Sequence, residues 1–133
     1  MRAAIIEAVY NALNVAAVTN LAPVFHHVVD DTQPPFVRIA DVSLSDEGDK
    51  EGGLFRASIS IEAYYRGTKG SVAAALADAV AAALRNSTLS SAGMVPVRAH
   101  QVQTAGPSQG EDGVTYLATI VAEALVQLSL IHI

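Results

Sequence analysis

Between residues 55 and 65 apolar and polar side chains alternate without a break. Phe55, Ala57, Ile59, Ile61 and Ala63 share one parity, and Arg56, Ser58, Ser60 and Glu62 share the other. A period of two over that length predicts a strand with one face buried and the other wet or open to a partner. After a break at residues 67–70 the period changes. Val72, Leu76, Val80 and Leu84 then mark one face of a helix that reaches about Arg85. Ser71 is its N-cap candidate, Arg85 suits the dipole at its end, and Ala73, Ala75, Ala79 and Ala83 broaden the apolar face at little entropic cost.

The same reading places a first helix over residues 3–15, where Ile5, Ile6, Val9 and Leu13 oppose Glu7, Asn11 and Asn14. Pro23 bars its continuation and opens a short strand at 24–29, followed by a Pro-containing loop at 30–35. A second strand is expected at 36–44. Val37 and Ile39 have one parity, Val42 and Leu44 the other, so it carries a bulge or changes its exposed face. Residues 45–53 are polar and read as a flexible connection at the tip of a long antiparallel hairpin. Further on come a polar linker at 86–93, a strand at 95–103, a polar loop at 106–113 and a last strand from Thr115 to about Leu128. That last strand is apolar on both parities, so it should be covered on both faces, by helices or by a neighbouring subunit. The order α-β-β-β-α-β-β predicts an α+β fold: a mostly antiparallel sheet carrying two helices on one face.

Composition narrows the function. At 133 residues the expected organisation is a single domain, 51% hydrophobic and only 16% charged, rich in Ala and Val and without Trp. Thin layers of small residues leave much apolar surface, as in subunits of an obligate assembly, the alternative being a plain Ala-rich monomer. The formal charge is −5, and the eight Lys and Arg residues are scattered, which argues against tight DNA binding through phosphates. With no cysteines, disulfides and thiolate metal sites are excluded. Glu7, Asn11 and Asn14 interrupt any signal-peptide core. Residues 117–133 are at the short limit for a membrane span, and Glu123 near their middle would cost roughly 3 kcal/mol in a bilayer. A soluble chain made in the cytoplasm is the expectation.

No catalytic constellation emerges. Gly106-Pro107-Ser108-Gln109-Gly110 matches G-x-S-x-G, with Asp112 and His132 following, but that motif needs a helix directly after it. A strand follows instead. His26 and His27, with Asp30 and Asp31, could suggest a metal site, yet adjacent strand residues point to opposite faces. Asp46, Glu47, Asp49 and Glu51 around Lys50 only caricature a calcium loop and read as a solvated tip that orders on a partner. Tyr64 and Tyr65 put one aromatic on each face beside Arg66. One should pack in the core and the other should serve as an interface anchor.

The run Ala4-Ile5-Ile6-Glu7-Ala8-Val9-Tyr10-Asn11-Ala12-Leu13, the segment Pro35-Phe36-Val37-Arg38-Ile39, the strand from Arg56 to Tyr64 and the helix Ala73-Ala74-Ala75-Leu76-Ala77-Asp78-Ala79-Val80 follow one another in a set order. Over nearly the whole chain this order resembles the tail completion (tail terminator or neck) proteins of long-tailed bacteriophages and of gene-transfer-agent-like particles. The resemblance implies a non-enzymatic structural protein of the virion tail or neck, with no cofactor and no bound metal. It implies a homo-oligomeric ring, commonly a hexamer, that caps the head-proximal end of the tail tube and docks the head-side connector. Its partners would be the tail tube protein and the connector, with DNA passing through the lumen without specific binding. Asp46, Glu47, Asp49, Lys50, Glu51, Tyr64, Arg66, Ser108, Gln109, Glu111 and Asp112 are the expected interface residues. The alternatives are another neck or tail-tube ring component, or a small ligand- or metal-binding α+β domain built on His26, His27, Asp30 and Asp31.

Overall fold

The computed structural model describes residues 2–26, 28, 31–46 and 54–127. Helix α1 spans Arg2–Leu13 and a single turn, α2, spans Ala16–Thr19. Strands β1 (Val24–Phe25), β2 (Phe36–Asp46) and β3 (Leu54–Arg66) follow, then helix α3 (Gly70–Asn86) and strands β4 (Gln101–Gln109) and β5 (Thr115–Gln127). The five strands form one sheet in the order β1-β2-β3-β5-β4. All neighbours are antiparallel except β1, which runs parallel to β2 through Val24–Val37 and Phe25–Arg38. The α+β expectation therefore holds, with a mixed sheet and one extra turn of helix.

Helices α1 and α3 touch each other and lie on the same face of the sheet, α1 over β1 and β2, α3 over β3, β4 and β5. The alternation in β3 determines this. Ala57, Ile59, Ile61 and Ala63 are buried beneath the helices together with Ala118, Ile120, Ala122, Ala124 and Val126 of β5. No polar or charged side chain is buried among the described residues. Burial of this apolar layer is the main favourable term in folding, at about 25 cal/mol per Å².

The parity slip in β2 is a bulge. Ile39 pairs with Ile61 and Asp41 with Ser60, so Ala40 is the extra residue. It lets Val37, Ile39 and Val42 all turn to the covered face, where they are buried. In α3 the buried set is Ala73, Leu76, Ala77, Val80, Ala81 and Leu84, at the spacing of one helical stripe. Val72, expected on that stripe, is 40% exposed, because the face is rotated by the small residues Ala77 and Ala81 that lie against the core. The helix also starts two residues earlier than expected, with Lys69 at the N-cap in place of Ser71 and no side-chain cap.

Three boundaries differ from the expectation. The strand expected at 24–29 is reduced to Val24–Phe25. The strand expected at 95–103 runs instead from Gln101 to Gln109, and the chain before it makes only a single bridge, Leu89 to Val97. The polar loop expected at 106–113 shrinks to a tight turn after Gln109, with Ser108 and Gln109 inside β4. Their partners on β5, Leu117 and Tyr116, supply ladder hydrogen bonds that a polar composition does not advertise.

Candidate assembly interface

Among the described residues the second face of the sheet carries no helix. From β2 it presents Phe36, Arg38, Asp41 and Ser43, and from β3 it presents Arg56, Ser58, Ser60, Glu62 and Tyr64. From β5 come Leu117, Thr119, Val121, Glu123 and Leu125. The expectation that β5 is covered on both faces is not met within the chain. Leu117 and Val121 are half-buried and Leu125 is 41% exposed. Three apolar side chains at every fourth residue thus form a partly exposed ridge along β5, flanked by polar residues.

Both arginines on this face lie beside a carboxylate. Arg38 Nε donates to Glu62 Oε1 at 2.6 Å, and Tyr64 Oη donates to the same oxygen at 3.1 Å. Arg56 Nη1 lies 3.9 Å from Glu123 Oε1, and His100 Nε2 lies 3.8 Å from that atom. Burial, and then the Glu62 charge, push the Tyr64 phenol above its ordinary range. The Tyr64 ring stacks on Phe36 with centroids 4.8 Å apart, and Phe36 meets Phe25 at 6.2 Å. Tyr64 is thus the aromatic of the helix-free face, as the sequence suggested. Tyr65 is not a core residue: it is half-buried on the other face, tilted against Tyr116 at 6.2 Å.

At the Tyr64 end of the sheet, the turn between β4 and β5 is tightly ordered. Asp112 Oδ1 accepts from the backbone N–H groups of Val114 at 3.0 Å and Thr115 at 2.8 Å, and Thr115 Oγ1 donates to Oδ2 at 2.5 Å. Gln109 Nε2 donates to the Gly113 carbonyl at 2.6 Å. Arg66 lies 3.7 Å from Asp112 and also donates to Gln33 Oε1 at 3.1 Å, tying the turn to the loop before β2. These hydrogen bonds, the Thr115 hydroxyl foremost, hold the Asp112 carboxyl down to about 2. Gly106 sits in the β4 bulge with φ +92°, where a Cβ would stand 2.9 Å from the Leu117 carbonyl oxygen. The G-x-S-x-G match is therefore a strand bulge, and no nucleophile is thrust onto a helix start.

Of the expected interface residues, Tyr64, Arg66, Ser108, Gln109, Glu111 and Asp112 gather at one end of the sheet. Asp46 lies at the opposite end, paired with Phe55. Glu47, Asp49, Lys50 and Glu51, like His27 and Asp30, lie outside the described residues. Sequence reasoning missed the paired charges Arg38–Glu62 and Arg56–Glu123. The signal was available in the alternation itself, since Arg56 and Glu62 share the polar parity. Among the described residues no three His, Asp or Glu side chains group as a metal site would require. No helix among them is long and apolar enough to cross a membrane.

A family model described as tail completion protein gp17 matches residues 3–127. The chain belongs to that family. Tail completion proteins are structural components of the virion, not enzymes, and this one is accordingly a phage-type tail protein of the virion. A chain from the structure titled "Virion of native gene transfer agent (GTA) particle" superposes with a TM-score of 0.76, covering 95% of this chain and 96% of that one. At 23% identity that likeness shows a shared fold. No curated protein matches the chain. The resemblance to tail completion proteins, drawn from the order of segments over nearly the whole chain, is thus borne out.

Proposed function

We propose that this tail completion protein forms a hexameric ring that caps the head-proximal end of the tail tube and joins it to the head-side connector. The family match over residues 3–127 carries the reading. The geometry supports it in two ways. The helix-free face offers a half-apolar ridge and arginines that lie beside carboxylates, a composition suited to subunit contact and not to phosphate binding. The Asp46 end and the Asp112 end of the sheet are separated by the thirteen residues of β3, about 40 Å at 3.3 Å per residue. A subunit of that length can touch a tube ring at one end and a connector at the other. DNA would pass through the lumen without being held, given the net charge of −5.

The test is native mass measurement of the chain alone and mixed with tail tube protein, followed by deletion of residues 47–52. A ring that binds tube ends is expected, and the deletion should leave a folded subunit but give unjoined or overlong tails. Normal particles after the deletion, or a chain that stays monomeric with tube present, would overturn the proposal. Incorporation along the whole tube would make the protein a tube subunit instead.

A further inference from the structure

The strand order leaves both sides of the sheet open. On one side β1 pairs only with Val37 and Arg38, so β2 has no strand beside it from Ala40 onward among the described residues. On the other side β4 is the last strand, and nothing among the described residues pairs with its outer edge. Exposed edges of this kind invite another strand, and natural proteins normally blunt or cover them. Here a side chain of α1 meets the β2 edge. Arg2 Nε donates to the Val42 carbonyl at 3.2 Å, standing where a strand N–H would stand. An open depression lined by Arg2, His26, Ala40 and Val42 runs along this edge.

The two edges suit each other in three respects. The first is direction: β2, β3, β5 and β4 alternate up and down, so a copy rotated about an axis along the strands presents its β2 antiparallel to β4. The second is row. The registers align Val42, Ile59, Ala122 and Val102 in one row on the covered face, and Ser43, Ser58, Glu123 and Gln101 in one row on the helix-free face. Joining β4 to β2 of the next copy in these rows therefore continues apolar positions into apolar and polar into polar. The third is charge. Continued further along the ladder, the same rows bring Arg98, ahead of β4, opposite Asp46 at the end of β2.

We infer that a second copy of this chain docks edge to edge, the open half of β2 (residues 40–46) adding antiparallel to β4 (residues 101–105) of its neighbour. Such a contact uses two different surfaces and is heterologous, so repetition with a rotation that closes makes a ring in which each β4 edge is paired. The inference rests on the ring reading and specifies how the ring closes.

Because the natural chain has no cysteine, introduced thiols report this contact without background. Gln101→Cys is combined in turn with Asp41→Cys, Ser43→Cys or Ser45→Cys, three registers on the helix-free face. Facing residues of antiparallel strands stand about 4.5–5.5 Å apart at Cα, within disulfide reach. Particles carrying each double variant are oxidised and run on denaturing gels, with Gln101→Cys plus Asp78→Cys on the exposed side of α3 as the control. The expected result is a reducible ladder of multimers for one of the three pairs and none for the control. Where a double variant does not enter particles, the oxidation is done on the purified chain under conditions in which native mass shows the multimer. No ladder from any pair, with the multimer intact, overturns the edge contact and leaves the ring standing. A disulfide dimer alone means a two-fold contact and overturns both.

Discussion

Ile61 and Glu62 are consecutive residues of one strand, yet they belong to surfaces with opposite physics. Ile61 faces the helices, is fully buried, and lies among Ala, Val, Ile and Leu with no buried polar group. Glu62 faces away and binds Arg38 and Tyr64 in a partly exposed cluster. The covered face holds the subunit together. The helix-free face contributes little to that and is left for other contacts, since partly exposed ion pairs add roughly 0–1 kcal/mol while buried aliphatic side chains each contribute several times more. A sheet with one finished face and one unfinished face is a subunit shaped for assembly.

The sharpest way to break this contrast is to truncate the buried neighbour. Ile61→Ala should destabilise the isolated subunit by about 2–5 kcal/mol in urea unfolding, because the rigid layer beneath α3 closes only partly around the cavity. A loss below about 1 kcal/mol would mean that the covered face is not the core that the packing describes.

Glu62→Gln should cost under about 1 kcal/mol by the same measurement. It should also lower the Tyr64 phenol toward its ordinary range without reaching it, since burial is the larger cause and remains. A phenolate absorbance titration reads this directly. The sign is that of a raised group: the neutral phenol's share of stability is present below the unfolded value and is lost as pH rises through the folded one. An unchanged Tyr64 titration would show that the cluster is not formed in solution.

The smallest effect belongs to the exposed turn. Asp112 has its folded pKa lowered from 3.8 to about 2, so its hydrogen bonds are in place above the unfolded value, survive through 3.8, and are lost as pH falls through about 2. The amide resonances of Val114 and Thr115 should titrate at that point and not near 3.8. Titration at the ordinary value would mean that the turn between β4 and β5 is loose.

How much of this was legible depended on periodicity. The strand at β3 and the stripe of α3 were visible because alternation and helical spacing each repeat over many residues. The bulge in β2 was visible for the same reason, as a break in an established parity. The start of β4 was not. Gln101 to Gln109 is polar, carries Gly and Pro, and is held by pairing with β5, a contact distant in sequence. The same blindness turned Ser108 and Gln109 into loop residues. Tyr64 was found because an alternating strand declares its face, whereas Tyr65 was misplaced because its surroundings at Tyr116 come from the far end of the chain.

By itself, then, the order of residues determined which side chains share a face, where the two long helices run, and that no cysteine or cation cluster is present. Only the tertiary structure decided the strand order, that Arg38 meets Glu62 and Arg56 faces Glu123, and that β4 stands at an edge left open among the described residues. The physical reason is range. Side-chain parity is a property of neighbouring residues, whereas covering a face or closing an edge depends on which distant segments arrive there.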